Sequence, residues 1–323
     1  MSQKSTLAEQ AISHESMELS SVAAAAAPEA SERQEWNRLN IDHLLELEQS
    51  APGCWRALRG DSNLNGRSFG GQLLGQALVA GTRGVPVGRH PTMMQLLFLQ
   101  GAMPSQPLDF HVTTLQEGKR FSSRHVRATQ GGSRIILDAQ VTCALAIEAP
   151  EHEVASRVPA GERPEDLVPL EELDPALLQN LSQLGGYTDD RKPSIDFRIP
   201  DPHVQLAPES MNGRFRFWIR PTQVLPDDPF VHAGAFAYLS DWWVNFCALG
   251  LHQREVGKRR LYISSLNHGL WLHRPFRTDQ WLHVEVESPV GVRGRGHCIG
   301  RVHDRKGRAL ASVSQECLMG YAD

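Results

Sequence analysis

The sequence has few cysteines, and none of them forms a recognisable pair. The five thiols stand singly in apolar or strand-like stretches, with no CxxC motif and no histidine spacing that suits zinc. A zinc module and a disulfide framework are therefore not indicated. We expect reduced thiols in a cytoplasmic protein that needs no metal and no other cofactor. The cysteines are Cys54, Cys143, Cys247, Cys298 and Cys317.

An excess of basic charge is also absent. Lysine and arginine together number 33, against 37 aspartates and glutamates, which gives a formal net charge of −4. Nothing in this balance indicates a nucleic-acid partner. With 41% hydrophobic residues over 323 positions, the composition is typical of a soluble globular protein that is long enough for two ordinary domains or one large one.

The first 35 residues lack almost all aromatic and branched apolar side chains and include a run of alanines from Ala23 to Ala27. Such a segment cannot bury enough apolar surface to order itself, so we expect a disordered tail over residues 1–35. It also lacks the basic start and hydrophobic core of a secretory or transit peptide. The C-terminal residues 320–323 are not a peroxisomal SKL-type signal, and a cytoplasmic location remains the expectation.

The stretch from Asp228 to Gln253 is apolar on every side and organises the rest of the chain. Asp228 followed by Pro229 is a helix-start signal, because the carboxylate can accept from free N–H groups of the first turn. A helix without a polar side is buried, and the polar residues within this one argue against a membrane span. Asp241 lies in its middle. Because burying a charge is costly, Asp241 either belongs to a site or, with Ser240, caps a second, shorter helix.

The two halves of the chain share one order of elements, a helix followed by an antiparallel meander. His111 and His283 are separated by 172 residues (283 − 111), and so are His125 and His297 (297 − 125). The pattern predicts an α+β protein made by tandem duplication of one unit, a buried helix wrapped by a curved antiparallel sheet. The predicted elements are a helix over 69–83 with strands at 93–99, 108–116, 121–130 and 134–146, and then strands at 214–220, 261–273, 281–287, 292–303 and 308–319 around the second helix.

The predicted domains follow from this order. The first unit covers residues 36–147 and begins with a short amphipathic helix over residues 41–49. The second unit covers residues 213–323 and contains Asp241. Between the two units, residues 148–212 are acidic and rich in proline, so we expect a linker that packs on the outside.

A buried helix wrapped by a curled sheet, present twice, is the double hot-dog arrangement. Over roughly residues 40–320 the chain resembles the TesB-like acyl-CoA thioesterase II family. The motifs that carry the resemblance are Phe69-Gly70-Gly71-Gln72, Phe121-Ser122-Ser123-Arg124, Leu239-Ser240-Asp241, Leu266-Asn267-His268-Gly269-Leu270-Trp271 and Ser314-Gln315-Glu316. The resemblance implies hydrolysis of fatty or related acyl-CoA to free acid and CoA, and a homo-dimer or tetramer.

The resemblance also implies the site residues. In this family an aspartate, a threonine or serine, and a glutamine orient and activate a hydrolytic water, and these positions fall on Asp241, Ser265 and Gln315. A carboxylate can take a proton from water, while a hydroxyl and an amide can fix the orientation of that water. The glycine-rich start of the first helix offers free amides for the thioester oxygen. The expected substrate contacts are Gly70, Gly71, Trp242 and His268.

Some features depart from the family pattern. Ser265 stands where many relatives have threonine, which keeps the hydroxyl. After Phe98-Leu99 the usual Arg-Pro-Gly is replaced by Gln100-Gly101-Ala102, a change that bears on substrate preference more than on the reaction. The basic run Lys258–Arg260 is typical of a solvated surface, although it could also meet CoA phosphates.

Several alternatives stay open at this point. Gly66-Arg67-Ser68-Phe69-Gly70 matches the GxSxG pattern of a serine hydrolase, but that elbow requires a strand directly before the serine, and residues 61–65 read as a polar turn. A hot-dog hydratase or dehydratase would need histidine five residues after the aspartate, and that position is Phe246. A non-catalytic or biosynthetic acyl-binding protein can share the fold. From spacing alone, His268 and His273 point to opposite faces of a strand, which favours packing or hydrogen-bonding roles.

Overall fold

The computed structural model describes residues 36–63, 66–154, 158–183, 193–207, 211–252 and 261–321. The predicted tail over residues 1–35 and the basic run Lys258–Arg260 lie outside the described residues. The described residues belong to one compact unit. Among the described residues, no helix is long and apolar enough to cross a membrane.

The strands of the described residues form one continuous antiparallel sheet in the order β1-β2-β4-β5-β6-β3-β9-β12-β11-β10-β8-β7. The order read outwards from β3 is β3-β6-β5-β4-β2-β1, and the order read outwards from β9 is β9-β12-β11-β10-β8-β7. The two orders correspond strand for strand, which confirms the predicted duplication and double hot-dog architecture. The strands are β1 (Glu48–Ala51), β2 (Cys54–Ala57), β3 (His90–Phe98), β4 (Leu108–Glu117), β5 (Phe121–Gln130), β6 (Arg134–Ala144), β7 (Ile195–Arg198), β8 (Arg214–Pro221), β9 (Leu261–Leu272), β10 (Leu282–Val292), β11 (Arg295–His303) and β12 (Ala309–Tyr321).

Two helices pack against each other and against the sheet, one from each half. Their contact is close because two glycines meet there: a Cβ on Gly75 would lie 2.8 Å from the carbonyl oxygen of Gly234. Apolar side chains of both helices are buried in the core. The helices of the described residues are α1 (Ile41–Leu44), α2 (Gly70–Thr82), α3 (Pro175–Gln183), α4 (Pro202–Gln205), α5 (Pro229–Leu239) and α6 (Phe246–Gly250), of which α2 and α5 are the central pair.

The second central helix is broken, which corrects the prediction of one continuous helix. It begins as expected, since Asp228 Oδ1 accepts from Phe230 N at 2.8 Å, but α5 ends at Leu239. Trp243 then has φ 57°, a left-handed conformation that interrupts a right-handed helix at a cost of order 1–3 kcal/mol. Burial of its ring offsets this cost. The indole packs on three aromatic rings: Phe197, Phe215 and Phe217.

Two other segments differ from the predictions. The helix expected over residues 41–49 is only the single turn α1, and β1 follows it at Glu48. The acidic linker is not purely external, since several of its apolar residues, Phe197 among them, belong to the buried core, and its β7 pairs with β8 at the edge of the sheet. Glu162 of the linker accepts from Trp218 Nε1 at 2.8 Å and from Arg216 Nη1 at 2.6 Å. Four residues are too few to show the alternation that identifies a strand, so the sequence pattern does not predict β7. The domain boundaries themselves remain a proposal.

Two buried histidines lie on the outer face of the second half of the sheet. His283 is fully buried, with its ring centroid 4.9 Å from that of Trp218 and 6.4 Å from that of His303. Burial, helped by Arg216 and His303, lowers the pKa of His283 to about 3. Because an unfolded histidine has a pKa of about 6.5, the unfolded chain binds this proton more tightly. The contribution of neutral His283 to the free energy of unfolding is therefore fully present above about pH 6.5, and it is lost as the pH falls towards 3.

His283→Phe is expected to flatten the acid dependence of stability. In the parent, this one group should lower the free energy of unfolding by about 2 kcal/mol between pH 7 and pH 5. Phenylalanine keeps a flat ring but binds no proton, so the variant should lose about 2 kcal/mol less over the same interval. Urea unfolding of both proteins at the two pH values measures the difference, and equal losses would contradict it.

Candidate active site

A closed ring of hydrogen bonds joins the α5–α6 connection, residues 240–245, to two central strands of the second half. Gln315 on β12 is fully buried, and its amide nitrogen donates to Ser265 Oγ and to Asn245 Oδ1, each at 3.0 Å. Asn245 Nδ2 in turn donates to Ser265 Oγ at 3.2 Å. Ser265 and Asn245 are half-buried. The ring therefore presents a hydroxyl and an amide at the border between core and surface.

A β-bulge on β9 is what turns Ser265 towards this ring. Ser265 and His268 are three residues apart, a spacing that places side chains on opposite faces of a regular strand. In the ladder with β12, however, Asn267 pairs with Glu316 while Ser265 already pairs with Cys317, so Leu266 is an extra residue. Such a bulge re-aims the neighbouring side chain. Both Ser265 and His268 consequently contact Gln315.

His268 lies behind Gln315. Its imidazole is 1% exposed, with Nδ1 hydrogen-bonded to Gln315 Oε1 and Nε2 hydrogen-bonded to Ser240 Oγ at 3.0 Å. Burial lowers the pKa of His268 to about 4, so the ring is neutral at neutral pH. Gln315 Oε1 can only accept, which assigns the proton of the neutral ring to Nδ1, while Ser240 Oγ also donates to the carbonyl oxygen of Ala237 at 2.8 Å. Both ring nitrogens of His268 are thus bonded within the protein, and a 1% exposed side chain presents almost no surface for the predicted substrate contact.

Asp241 faces the start of α2 in the other half of the chain. A Cβ on Gly70, the first residue of α2, would lie 2.5 Å from Asp241 Oδ2 and 3.3 Å from its Cγ. The amides of a first helical turn have no acceptor within the helix, and the positive end of the helix dipole stabilises an anion placed there. The alternative that Ser240 and Asp241 cap a second helix is wrong, since Ser240 ends α5 and Asn245 is the residue before α6.

The aromatic residues after Asp241 divide into two groups. Trp243 and Phe246 are 5% and 4% exposed and belong to the core. Trp242 is half-buried, and its ring centroid lies 5.0 Å from that of Phe69, the residue directly before α2. Of these three aromatic side chains, Trp242 is therefore the one that borders the Asp241 and Gly70 contact.

Ser68, the serine of the GxSxG pattern, is not placed for nucleophilic attack. Its side chain is 6% exposed, and within the described part of the chain its Oγ has no hydrogen-bond partner that could act as a base. It pairs with Ser62 in an isolated bridge, whereas an elbow requires a buried strand before the serine. Within that same part of the chain, no group of three or more histidine, cysteine, aspartate or glutamate side chains could hold a metal ion.

The duplication did not duplicate the ring of hydrogen bonds. Leu96 on β3 pairs with His268 on β9, and the two are 172 residues apart (268 − 96), the same offset as the repeated histidines. Each residue is thus the counterpart of the other. His268 pairs with Gln315 on β12, but Leu96 pairs with Ala139 on β6, and both Leu96 and Ala139 are buried and apolar. Within the ranges that the structure describes, only the second half carries the polar set.

Two family models match the chain, the acyl-CoA thioesterase N-terminal domain over residues 58–144 and the acyl-CoA thioesterase C-terminal domain over residues 164–319. Acyl-coenzyme A thioesterase 8 of Homo sapiens is 30% identical over 258 residues, which are 77% of this chain and 79% of that protein. Acyl-CoA thioesterase 2 of Haemophilus influenzae is 26% identical over 293 residues, 88% of this chain and 98% of that protein.

A solved structure agrees with these sequence comparisons. The acyl-CoA thioesterase II TesB2 from Mycobacterium marinum matches with a TM-score of 0.70 and 27% identity, covering 88% of this chain and 98% of that one. The two matched domains lie in the two halves of the sheet, and the order of strands repeats between the halves. By its fold, its motifs and these relatives, the chain belongs to the TesB-like acyl-CoA thioesterase II family.

Proposed function

We propose that this protein hydrolyses acyl-CoA thioesters to the free acid and CoA, using a water molecule that Asp241 activates. The observation that carries the proposal is that a carboxylate contacts a helix start four residues before an amide that bonds the Ser265 network. Asp241 lies against Gly70 at the first turn of α2, and four residues later Asn245 hydrogen-bonds Ser265. Four residues span about 14 Å at most, so the three groups share one region of the molecule.

Each step of the reaction has a group to serve it. Asp241 takes a proton from the water as the water oxygen attacks the thioester carbonyl carbon. Negative charge then leaves the carboxylate and develops on the thioester oxygen. The free amides at the start of α2 stabilise that oxyanion. When the tetrahedral intermediate collapses, the carbon–sulfur bond breaks, and the proton held by Asp241 passes to the CoA sulfur.

Gln315 acts in this proposal through Ser265. Its side chain is fully buried, both of its amide hydrogens are donated within the ring, and Oε1 is bonded to His268. The resemblance implies direct contact between this glutamine and water. The observed bonds favour a positioning role, in which Gln315 holds the hydroxyl of Ser265 in place.

The hydratase alternative lacks its second catalytic group. A histidine five residues after Asp241 would be required, and Phe246 at that position is buried against Phe215, with ring centroids 4.6 Å apart. The non-catalytic acyl-binding alternative differs from our proposal in turnover, so an activity assay separates the two.

The proposal is tested by thiol release from a series of acyl-CoA substrates, from acetyl to palmitoyl, with the purified full chain. We expect release well above the rate without protein for at least part of the series. Ser68→Ala is expected to keep the parent rate, because Asp241 and water carry the reaction. Saturable acyl-CoA binding without thiol release would favour the acyl-binding alternative, and loss of activity in a folded Ser68→Ala would contradict attack by water.

We also propose that the chain forms a homo-dimer or tetramer. Large apolar side chains stand exposed on the sheet, and burial between chains would remove them from water. Leu97 on β3 and Tyr262 on β9, the two central strands, are 51% and 53% exposed, and Leu115 on β4 is 56% exposed. Light scattering at micromolar concentration checks this, with a monomer as the contrary result. The cytoplasmic location stays a prediction from the sequence.

A further inference from the structure

Asn245 holds a place in the ring that no motif assigned. It is the residue before α6, where an asparagine typically accepts from the N–H groups of the first helical turn. Its side chain makes no such capping bond in the structure. Both ends of the amide are used elsewhere, since Oδ1 accepts from Gln315 Nε2 and Nδ2 donates to Ser265 Oγ. The usual structural role of an asparagine at this position is therefore not the one that Asn245 performs.

The direction of these bonds determines what Ser265 can offer. A hydroxyl has one hydrogen to donate and two lone pairs that accept. Gln315 Nε2 and Asn245 Nδ2 are both donors, so together they occupy both lone pairs of Ser265 Oγ. In this orientation of the amide, the Gln315 oxygen faces His268 Nδ1. The Ser265 proton is consequently left for a partner outside the ring.

We propose that Asn245 is a positioning residue that makes Ser265 a hydrogen-bond donor to the attacking water. This inference rests on the proposed function. A water oxygen that accepts from Ser265 keeps its own hydrogens for Asp241 and its second lone pair for the thioester carbon. Without the Asn245 bond, one lone pair of Ser265 is free to accept from the water. The water then donates one of its hydrogens to Ser265, and its oxygen points away from the substrate.

The conformation of the connection supports the same assignment. Trp243, the left-handed residue, lies midway between Asp241 and Asn245. Strained backbone of this kind persists where the surrounding structure holds it, and it clusters at functional sites. Here it allows the chain to leave α5, present a carboxylate at the start of α2 and present an amide to Ser265 before α6 begins.

The test is a double-mutant cycle on thiol release. Asn245→Ala should lower kcat about tenfold, the value of one hydrogen bond, with KM little changed. Asn245→Asp should lower kcat further, about 10²-fold, because an isosteric carboxylate accepts the Ser265 proton instead of donating and adds a negative charge beside Asp241. In a Ser265→Ala background, Asn245→Ala should cause no further loss, since its effect passes through the Ser265 hydroxyl.

The matched control is Asn180→Asp on α3, the same substitution at an asparagine that donates to the carbonyl oxygen of Leu206. It should keep the parent kcat. The proposal is overturned if Asn245→Ala lowers kcat equally in both backgrounds, or if Asn245→Asp keeps the parent kcat. Asn245→Asp preserves the side-chain shape, so its kcat still tests the proposal if the alanine variant fails to fold. An unchanged kcat in Ser265→Ala alone would instead contradict the proposed function.

Discussion

Asp241→Asn is expected to lower kcat about 10²–10⁴-fold, the range that general-base catalysis typically contributes. Asparagine keeps the shape and much of the hydrogen-bonding capacity of aspartate but cannot take a proton from water. The melting temperature should stay equal or rise, because a half-buried charge is removed and catalytic residues often reduce stability. Thiol release and thermal unfolding of the same preparation measure both effects.

Asp228→Asn is the matched control for this substitution. Asp228 caps α5 through its bond to Phe230 N, and asparagine caps a helix about as well as aspartate. Neither kcat nor the melting temperature should move in this variant. If Asp241→Asn, like Asp228→Asn, leaves kcat and the melting temperature unchanged, the carboxylate of Asp241 has a structural role only and the proposed mechanism is wrong.

Gly70→Ala is expected to lower kcat about 10²-fold while the melting temperature hardly changes. The new methyl carbon would lie 2.5 Å from Asp241 Oδ2, so the carboxylate must move. Because the carboxylate is the far end of a side chain and not backbone, its rotation costs little for folding. The chemistry is less tolerant, since a displacement of about 1 Å can cost about 10²-fold in rate.

Gly71→Ala separates this effect from ordinary crowding. A Cβ on Gly71 would lie 2.3 Å from the backbone carbonyl oxygen of Tyr238 in α5, which cannot rotate away. That variant should lose thermal stability, whereas Gly70→Ala should lose activity. A Gly70→Ala protein with the parent kcat would show that the contact with Asp241 plays no part in catalysis.

The regular elements could be predicted from the sequence because their signals are local. The period-two alternation located the strand Phe121–Gln130, and the helix expected over residues 69–83 is α2, Gly70–Thr82. The start signal at Asp228 is also local, and it was confirmed by the bond to Phe230. The repeated order of helix and strands was sufficient to predict the duplicated hot-dog fold. The family motifs indicated Asp241, Ser265 and Gln315 as the site residues.

The tertiary structure alone decided how these residues meet. Gly70 and Asp241 are 171 positions apart (241 − 70), and their contact exists only because α2 and α5 pack together. Alternation along β9 would turn Ser265 away from Gln315, and a bulge whose extra residue is defined only by the pairing with β12 turns it back. The left-handed Trp243 is held by rings from β7 and β8. A local pattern reports which face of its own element a side chain occupies, whereas each of these features depends on a partner that is distant in the chain.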